Sequence, residues 1–313
     1  MKFLVALLFT NLLAAQVFPA DTLVTVPANP AKGFHHDFIL FVPKKTPVGK
    51  TTYLLVEPNN TGQLSDSVAV HRKHAEFLAS VSSVGNNVST ELLIPLLVPV
   101  FPRPASQPLM YTHALDRDVM DVAEGPLMRP DLQLLAMVEE AQKILSKMNV
   151  PVHPRFLMSG FSASGTFVNR FSMIHPEKIK ALAIGGFNGK LMHPQKQLDG
   201  TPLDYPLGIH DFEKRFGKPF DIAAFRSLPQ YIYMGSMDDN DSVDFQDAYG
   251  PGEREIINNK LSPNVQERFA LCRKIYQANG VRANFRVYDA IGHRTTSNIN
   301  LDVIYFFMEQ VKE

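Results

Sequence analysis

The sequence predicts an α/β protein in which a mostly parallel central sheet is flanked by helices and carries a small insertion. From about Phe34 onward, short apolar runs that suit strands alternate with longer segments of helical spacing, the pattern of parallel strands joined by helical crossovers. Some of these runs are nearly continuous rather than alternating, as in Glu91 to Phe101, which is how a strand covered on both faces reads. With 313 residues, 45% of them apolar, the chain has ample material for a core of this kind.

The chain opens with Lys2 and an apolar run from Phe3 to Ala15, broken only by Thr10 and Asn11, followed by Gln16-Val17-Phe18-Pro19-Ala20. This resembles a secretory signal peptide over residues 1–20, with an apolar region too short to span a bilayer and a small residue at a cut near Ala20. The expectation is a secreted or periplasmic protein whose folded domain covers 21–313. No later run is long and apolar enough for stable membrane insertion.

After a proline-rich stretch, Val26 to Pro30, the segments His36 to Pro43 and Thr51 to Val56 read as strands joined by a turn. Val68 to Ser80 has helical spacing and places His71 and His74 on one face, where they read as surface histidines with no third metal ligand nearby. Pro95 and Pro99 weaken the strand expected over 91–101, because proline cannot donate to a ladder. Asp131 to Met148 is a helix with a broad apolar face. Phe156 to Met158 and Ile179 to Ile184 are apolar strands around a helix from Ser164 to His175, and helices follow over Val265 to Asn279 and Leu301 to Val311. Between 187 and 228 the alternation stops. Aromatic residues including Tyr205, Phe212, Phe216, Phe220 and Phe225 appear without period, and this stretch is expected to form a cap whose rings line a substrate pocket.

Composition excludes several functions. With 31 basic and 31 acidic side chains the formal net charge is zero, so no electrostatic drive toward nucleic acid or an anionic membrane is expected. The single Cys272 rules out an intrachain disulfide and any cysteine cluster for zinc. The triplets beginning at Asn59, Asn87 and Asn240 match a glycosylation acceptor, a pattern that mostly arises by coincidence.

The chemistry centres on Met158-Ser159-Gly160-Phe161-Ser162-Ala163-Ser164-Gly165. A serine on a sharp strand-to-helix turn, flanked by small residues, is the pattern of a nucleophile elbow. Gly160 stands two residues before Ser162, while Ser164 and Gly165 stand where a single glycine is usual. Downstream, the strand Gln230 to Met234 ends in Gly235 and a cluster holding Asp238, Asp239 and Asp241, and the strand Ala283 to Tyr288 leads through Gly292 to His293. Serine, carboxylate and histidine thus follow three strands in chain order.

In that order and placement the chain resembles the α/β-hydrolase superfamily of serine hydrolases, which includes esterases, lipases and prolyl-oligopeptidase-type enzymes, from about Phe34 onward. The resemblance implies that Ser162 is the nucleophile, His293 the general base and one of Asp238, Asp239 and Asp241 the orienting acid. Related families place the acid three residues after the strand-ending glycine, which selects Asp238, with Asp241 second. It also implies an oxyanion hole from the backbone N–H of Ala163 and one N–H of the loop Glu57 to Gly62, assigned to Asn60 with Thr61 next. The implied activity is hydrolysis of a small-molecule carboxylic ester through an acyl-serine, without cofactor or metal. The alternatives are a serine peptidase or amidase of the same fold, a binding protein on an inactive copy of it, or a calcium-binding module built on Asp238 to Asp244.

Overall fold

The computed structural model describes residues 16–60 and 62–312. The apolar run Phe3 to Ala15, on which the signal-peptide expectation rests, lies outside them, as do Thr61 and Glu313. Gln16 to Phe18 run against Lys45 to Val48, with the Phe18 amide bonded to the Thr46 carbonyl at 2.9 Å.

The strands are β1 (Thr22–Val26), β2 (Phe38–Val42), β3 (Leu55–Val56), β4 (Leu96–Pro99), β5 (Phe156–Phe161), β6 (Ile179–Gly185), the hairpin β7 (Gln197–Leu198) and β8 (Thr201–Pro202), β9 (Gln230–Gly235) and β10 (Ala283–Tyr288). Apart from the hairpin they form one eight-stranded sheet in the order β1-β2-β4-β3-β5-β6-β9-β10. From β4 to β10 all neighbours are parallel, and β2 is reversed against both β1 and β4. The helices are α1 (Val68–Ser80), α2 (Val84–Leu92), α3 (Arg117–Met120), α4 (Pro130–Lys147), α5 (Ala163–Ile174), α6 (Phe212–Phe216), α7 (Ile222–Ser227), α8 (Pro251–Ile256), α9 (Val265–Ala278) and α10 (Ser297–Val311). None is long and apolar enough to cross a membrane.

The period of two in each strand sorts its side chains onto two faces. Phe38, Leu40 and Val42 of β2, Met158 of β5, and Ile232 and Met234 of β9 meet Leu134, Met137 and Leu145 of α4, Phe167 and Phe171 of α5, and Phe269 and Tyr276 of α9. Ile39 and Phe41, Leu157, and Tyr231 and Tyr233 point the other way, against Ala75 and Ala79 of α1, Val88 of α2, and Val303 and Phe307 of α10. Both faces are covered, so the central strands carry no polar side. The near-continuous apolar runs in the sequence have this cause.

Two local readings change. The strand expected over 91–101 is only Leu96–Pro99, because Glu91 and Leu92 finish α2 and Leu93 closes it in a left-handed conformation, φ 56°. The prolines fall just before the strand and at its last position, so neither removes a central ladder donor. His71 is fully buried rather than on the surface, its Nε2 2.9 Å from the Ser65 carbonyl.

The loop after β3 is pinned at two points. Glu57, buried, accepts from the Ser83 hydroxyl and from the Gly85 amide at 2.9 Å, placing its carboxyl at the start of α2. Asn59, also buried, accepts from the Phe101 amide at 3.1 Å and donates to the Phe101 carbonyl at 2.8 Å. His113, whose pKa burial pushes down to about 3, bonds the same carbonyl at 2.8 Å.

Burial raises the Glu57 carboxyl to about 7, more than its two hydrogen bonds lower it. A carboxyl raised in the folded state favours folding below its unfolded pKa, and that contribution is lost as pH rises through the folded value. Glu57→Gln should therefore melt roughly 5 °C above the wild type at pH 8 and close to it at pH 5. Thermal denaturation of the pair at both pH values checks this; a constant gap at the two would count against it.

Candidate active site

Ser162 stands between the end of β5 and the start of α5 with φ 62° and ψ −130°, a conformation that L residues rarely adopt. Its amide is tied to the Gly185 carbonyl of β6 at 2.9 Å, and its hydroxyl projects off the sheet's carboxyl edge. The flanking residues have to be small for specific reasons. A Cβ on Gly160 would lie 2.4 Å from the Ser164 carbonyl oxygen, and one on Gly165 would lie 2.8 Å from the Gly185 carbonyl oxygen. Position 164 meets no such limit: its hydroxyl donates to the Phe161 carbonyl at 2.8 Å and lies 3.0 Å from the Phe161 amide. Ser164 therefore closes the turn where a glycine is usual, and Gly165 provides the close approach to β6.

The parallel pairing of β9 with β10 puts the loops after them side by side. They are stitched together by bonds from the Ser236 amide to the Tyr288 carbonyl at 2.8 Å and from the Met237 amide to the Ile291 carbonyl at 2.9 Å. Gly235 comes so near that a Cβ there would be 2.0 Å from the Ile291 oxygen. The consequence is that Asp238 and His293 meet. His293 Nδ1 lies 3.1 and 3.0 Å from the two Asp238 oxygens, and its Nε2 lies 3.0 Å from Ser162 Oγ. With the Nδ1 proton donated to the carboxylate, Nε2 is left to accept from the serine hydroxyl. The ring rests on Phe161, centroids 4.9 Å apart.

Asp238 is 3% exposed, and its carboxylate also accepts the Asn240 amide at 3.1 Å. Asp241 turns away to the fully buried Arg268 at 2.6 Å, and Asp239 faces solvent. The carboxylates of this loop thus diverge, and among the described residues no group of three or more His, Cys, Asp and Glu is placed to hold a metal ion. Gln266, which the sequence reading missed, donates to the Gly235 carbonyl at 3.0 Å and the Asp238 carbonyl at 2.8 Å and so fixes the loop from α9.

Beside Ser162 opens a cavity of about 370 Å³, within the range of small-molecule sites. Ala163 and Asn60 line it next to the serine, and the Asn60 side chain reaches the Phe161 carbonyl at 3.4 Å. Thr61, the second choice for an oxyanion donor, falls outside the described residues. The rest of the wall includes Arg103, Tyr111, Arg170, Phe245 and Tyr249. Of the segment 187–228 only Asn188 lines the cavity. Its rings instead turn inward: Phe212 packs on Phe216 and Phe220, Phe220 on Phe225, and Phe225 on Tyr276. The stretch 240–249 contributes Asn240, Ser242, Phe245, Ala248 and Tyr249 to the wall instead. One signal for Arg170 was in the sequence, since Ala163, Thr166 and Arg170 follow the serine at helical spacing and share the face that looks into the cavity.

The strain at Ser162 is measurable. Ser162→Gly and Ser162→Ala lose the same hydroxyl, but only glycine relaxes at positive φ, so the glycine variant should be about 1–2 kcal/mol more stable. Their melting temperatures, compared directly, check this; an alanine variant at least as stable as the glycine variant would contradict it.

No family model matches the sequence, and no curated protein matches it. Solved structures do. Poly(aspartic acid) hydrolase-1 from Sphingomonas sp. KT-1 is 18% identical with a TM-score of 0.59, the match covering 93% of this chain and 98% of that one. An S-formylglutathione hydrolase from Agrobacterium tumefaciens is 13% identical with a TM-score of 0.54, over 96% and 99%. The poly(3-hydroxybutyrate) depolymerase LpqC from Bordetella parapertussis is 12% identical with a TM-score of 0.53, over 93% and 90%. Sheet order, the reversed second strand and these likenesses together give the conclusion that the chain has the α/β-hydrolase fold.

Proposed function

We propose that the protein is a serine hydrolase that cleaves a carboxylic ester through an acyl-serine intermediate. The observation that carries this reading is the unbroken line from Ser162 Oγ through His293 to Asp238, two hydrogen-bonded contacts of 3.0 Å, with the serine held in a strained turn at the edge of a cavity. A free serine hydroxyl is a weak nucleophile at neutral pH and needs an adjacent base. In this reading His293 Nε2 takes the proton as Ser162 Oγ attacks the carbonyl carbon. Asp238 holds the Nδ1 proton in place and stabilises the imidazolium that forms. The oxyanion is held by the Ala163 amide at the start of α5 and by the Asn60 amide, where fixed donors act without reorganising.

Collapse returns the Nε2 proton to the leaving alkoxide and leaves an acyl-serine. Water then attacks that ester with the same base, releasing the acid and restoring the hydroxyl. Apart from the ester and the water, every group in these steps belongs to the protein, so no cofactor is called for. Esterases and hydrolases among the solved structures of the same fold support the reaction class. The same reading takes residues 1–20 as a leader for export to the periplasm or the medium.

Ser162→Ala should reduce turnover of short-chain p-nitrophenyl esters by a factor on the order of 10⁵ or more, and Asp238→Asn by about 10³–10⁴. Asp241→Asn, which strips the buried Arg268 of its ion-pair partner, should lower the melting temperature and leave kcat of the folded enzyme within a few-fold. Steady-state kinetics with parallel melting curves test this. Equal activity of Ser162→Ala and wild type, or loss of kcat with Asp241→Asn rather than Asp238→Asn, would overturn the assignment.

A further inference from the structure

Among the described residues lining the cavity beside Ser162, the only charged side chains are Arg103 and Arg170; the other polar ones are neutral, including Asn60, Thr166, Asn188 and Ser242. Both guanidinium groups are backed by tyrosine rings, Arg103 at 4.0 Å from the centroid of Tyr111 and Arg170 at 5.5 Å from that of Tyr249. Their charges are not balanced alike. Arg103 is ion-paired with Asp247 and donates to the Gly62 carbonyl at 3.3 Å, while its buried Nε has no hydrogen-bond partner among the described residues. Arg170, 2% exposed, donates Nη1 to the Ala114 and Leu115 carbonyls at 2.9 and 3.2 Å and has no carboxylate partner among the described residues. Asp116, buried nearby, makes no ion pair with it among the described residues and accepts from the Val119 amide at 3.2 Å instead; burial raises its carboxyl. Glu253, also raised by burial, is paired with Arg117 at 2.7 Å.

The wall therefore presents one surplus positive charge, largely removed from water, together with an orphan Arg103 donor. A buried cation without a counter-charge is costly, and an anionic ligand relieves that cost. The surplus of one suits a carboxylate rather than a phosphate dianion, and guanidinium groups bind carboxylates with a geometric match. The geometry also says which end of the substrate enters. His293, which must hand its proton to the leaving group, does not line the cavity, whereas Ala163 and Asn60 do. The leaving group is thus on the histidine side and the acyl chain in the cavity.

We propose that the cavity holds a free carboxylate at the far end of the acyl group, with Arg103 and Arg170 as its specificity-determining residues, so that the preferred substrates are half-esters of dicarboxylic acids. This rests on the hydrolase reading above and adds the acyl class to it.

The test compares kcat/KM for monoethyl glutarate and for ethyl valerate, which has the same acyl length and no charge, by titrating the acid released. The ratio of the two does not depend on the fraction of enzyme folded. The wild type should favour the half-ester at least ten-fold at low ionic strength, and the preference should shrink with added salt. Arg103→Gln, which leaves Asp247 unpaired and cancels the surplus, should cut the ratio five-fold or more, and Arg170→Gln should do the same if it folds. A wild-type ratio near one, or a ratio unchanged in Arg103→Gln, overturns the proposal while leaving ester hydrolysis standing. Calorimetric titration of Ser162→Ala with monoethyl glutarate reads the site without turnover. Binding that Arg103→Gln weakens supports the carboxylate site even if neither ester is cleaved, and no binding overturns it.

Discussion

The site depends on backbone approaching backbone where no side chain fits. Gly165 lets α5 lie on the end of β6, Gly160 lets the turn at Ser162 fold back on itself, and Gly235 lets the loop after β9 touch the loop after β10. A methyl at any of these positions would meet another backbone atom at 2.0–2.8 Å. These approaches set the spacing among three strand ends, and hydrogen bonds between the loops then fix it: Ser162 to Gly185, Ser236 to Tyr288, Met237 to Ile291. The line from Ser162 to Asp238 follows from that spacing. The strained φ of Ser162 is sustained by this surrounding frame, as strain at functional positions generally is.

Charge is handled differently on the two sides of the serine. Toward His293, Asp238 is matched by a histidine and the Asn240 amide, and Asp241 by Arg268, so both of these carboxylates have a partner in place. Toward the cavity, Arg170 uses one end of its guanidinium to hold the 114–115 backbone, and among the described residues no carboxylate is ion-paired with it. A protein interior tolerates such an imbalance where a ligand completes it. The wall that carries this imbalance is built largely from loops, around Asn60 and Gly62, 103–114 and 240–249, while Ser162 sits at a helix start and Asp238 and His293 on the loops after β9 and β10.

The sheet and the three residues that meet at Ser162 were legible in the sequence because their signals are local. Strands buried on both faces read as continuous apolar runs, the serine turn needs small residues at fixed offsets, and Asp238 and His293 each follow a strand and a glycine. Chain order supplied the rest. The outer part of the site was not legible in the same way. Arg103, Tyr111 and Tyr249 are far apart in sequence and share no motif, so only the tertiary arrangement shows that they face one cavity. The aromatics of 187–228 were expected over the pocket because they lack a period, but lack of period does not say which way a ring points; Phe212, Phe220 and Phe225 form an inner cluster continuous with the main core. The helix α2 was hidden because its last residues join the apolar run of the next strand, although Ser83 caps its start through the Asn86 amide at 2.8 Å.

The central claim is that Ser162 is an activated nucleophile rather than a serine in a well-formed turn. The most direct measurement is intact-protein and peptide mass spectrometry after exposure to a fluorophosphonate, which reacts with a serine only when a base has made it nucleophilic. The account predicts one adduct per chain, on Ser162, forming far more slowly when Asp238 is replaced by asparagine. A folded wild-type protein that takes up no adduct, or takes it up on another serine, would contradict it.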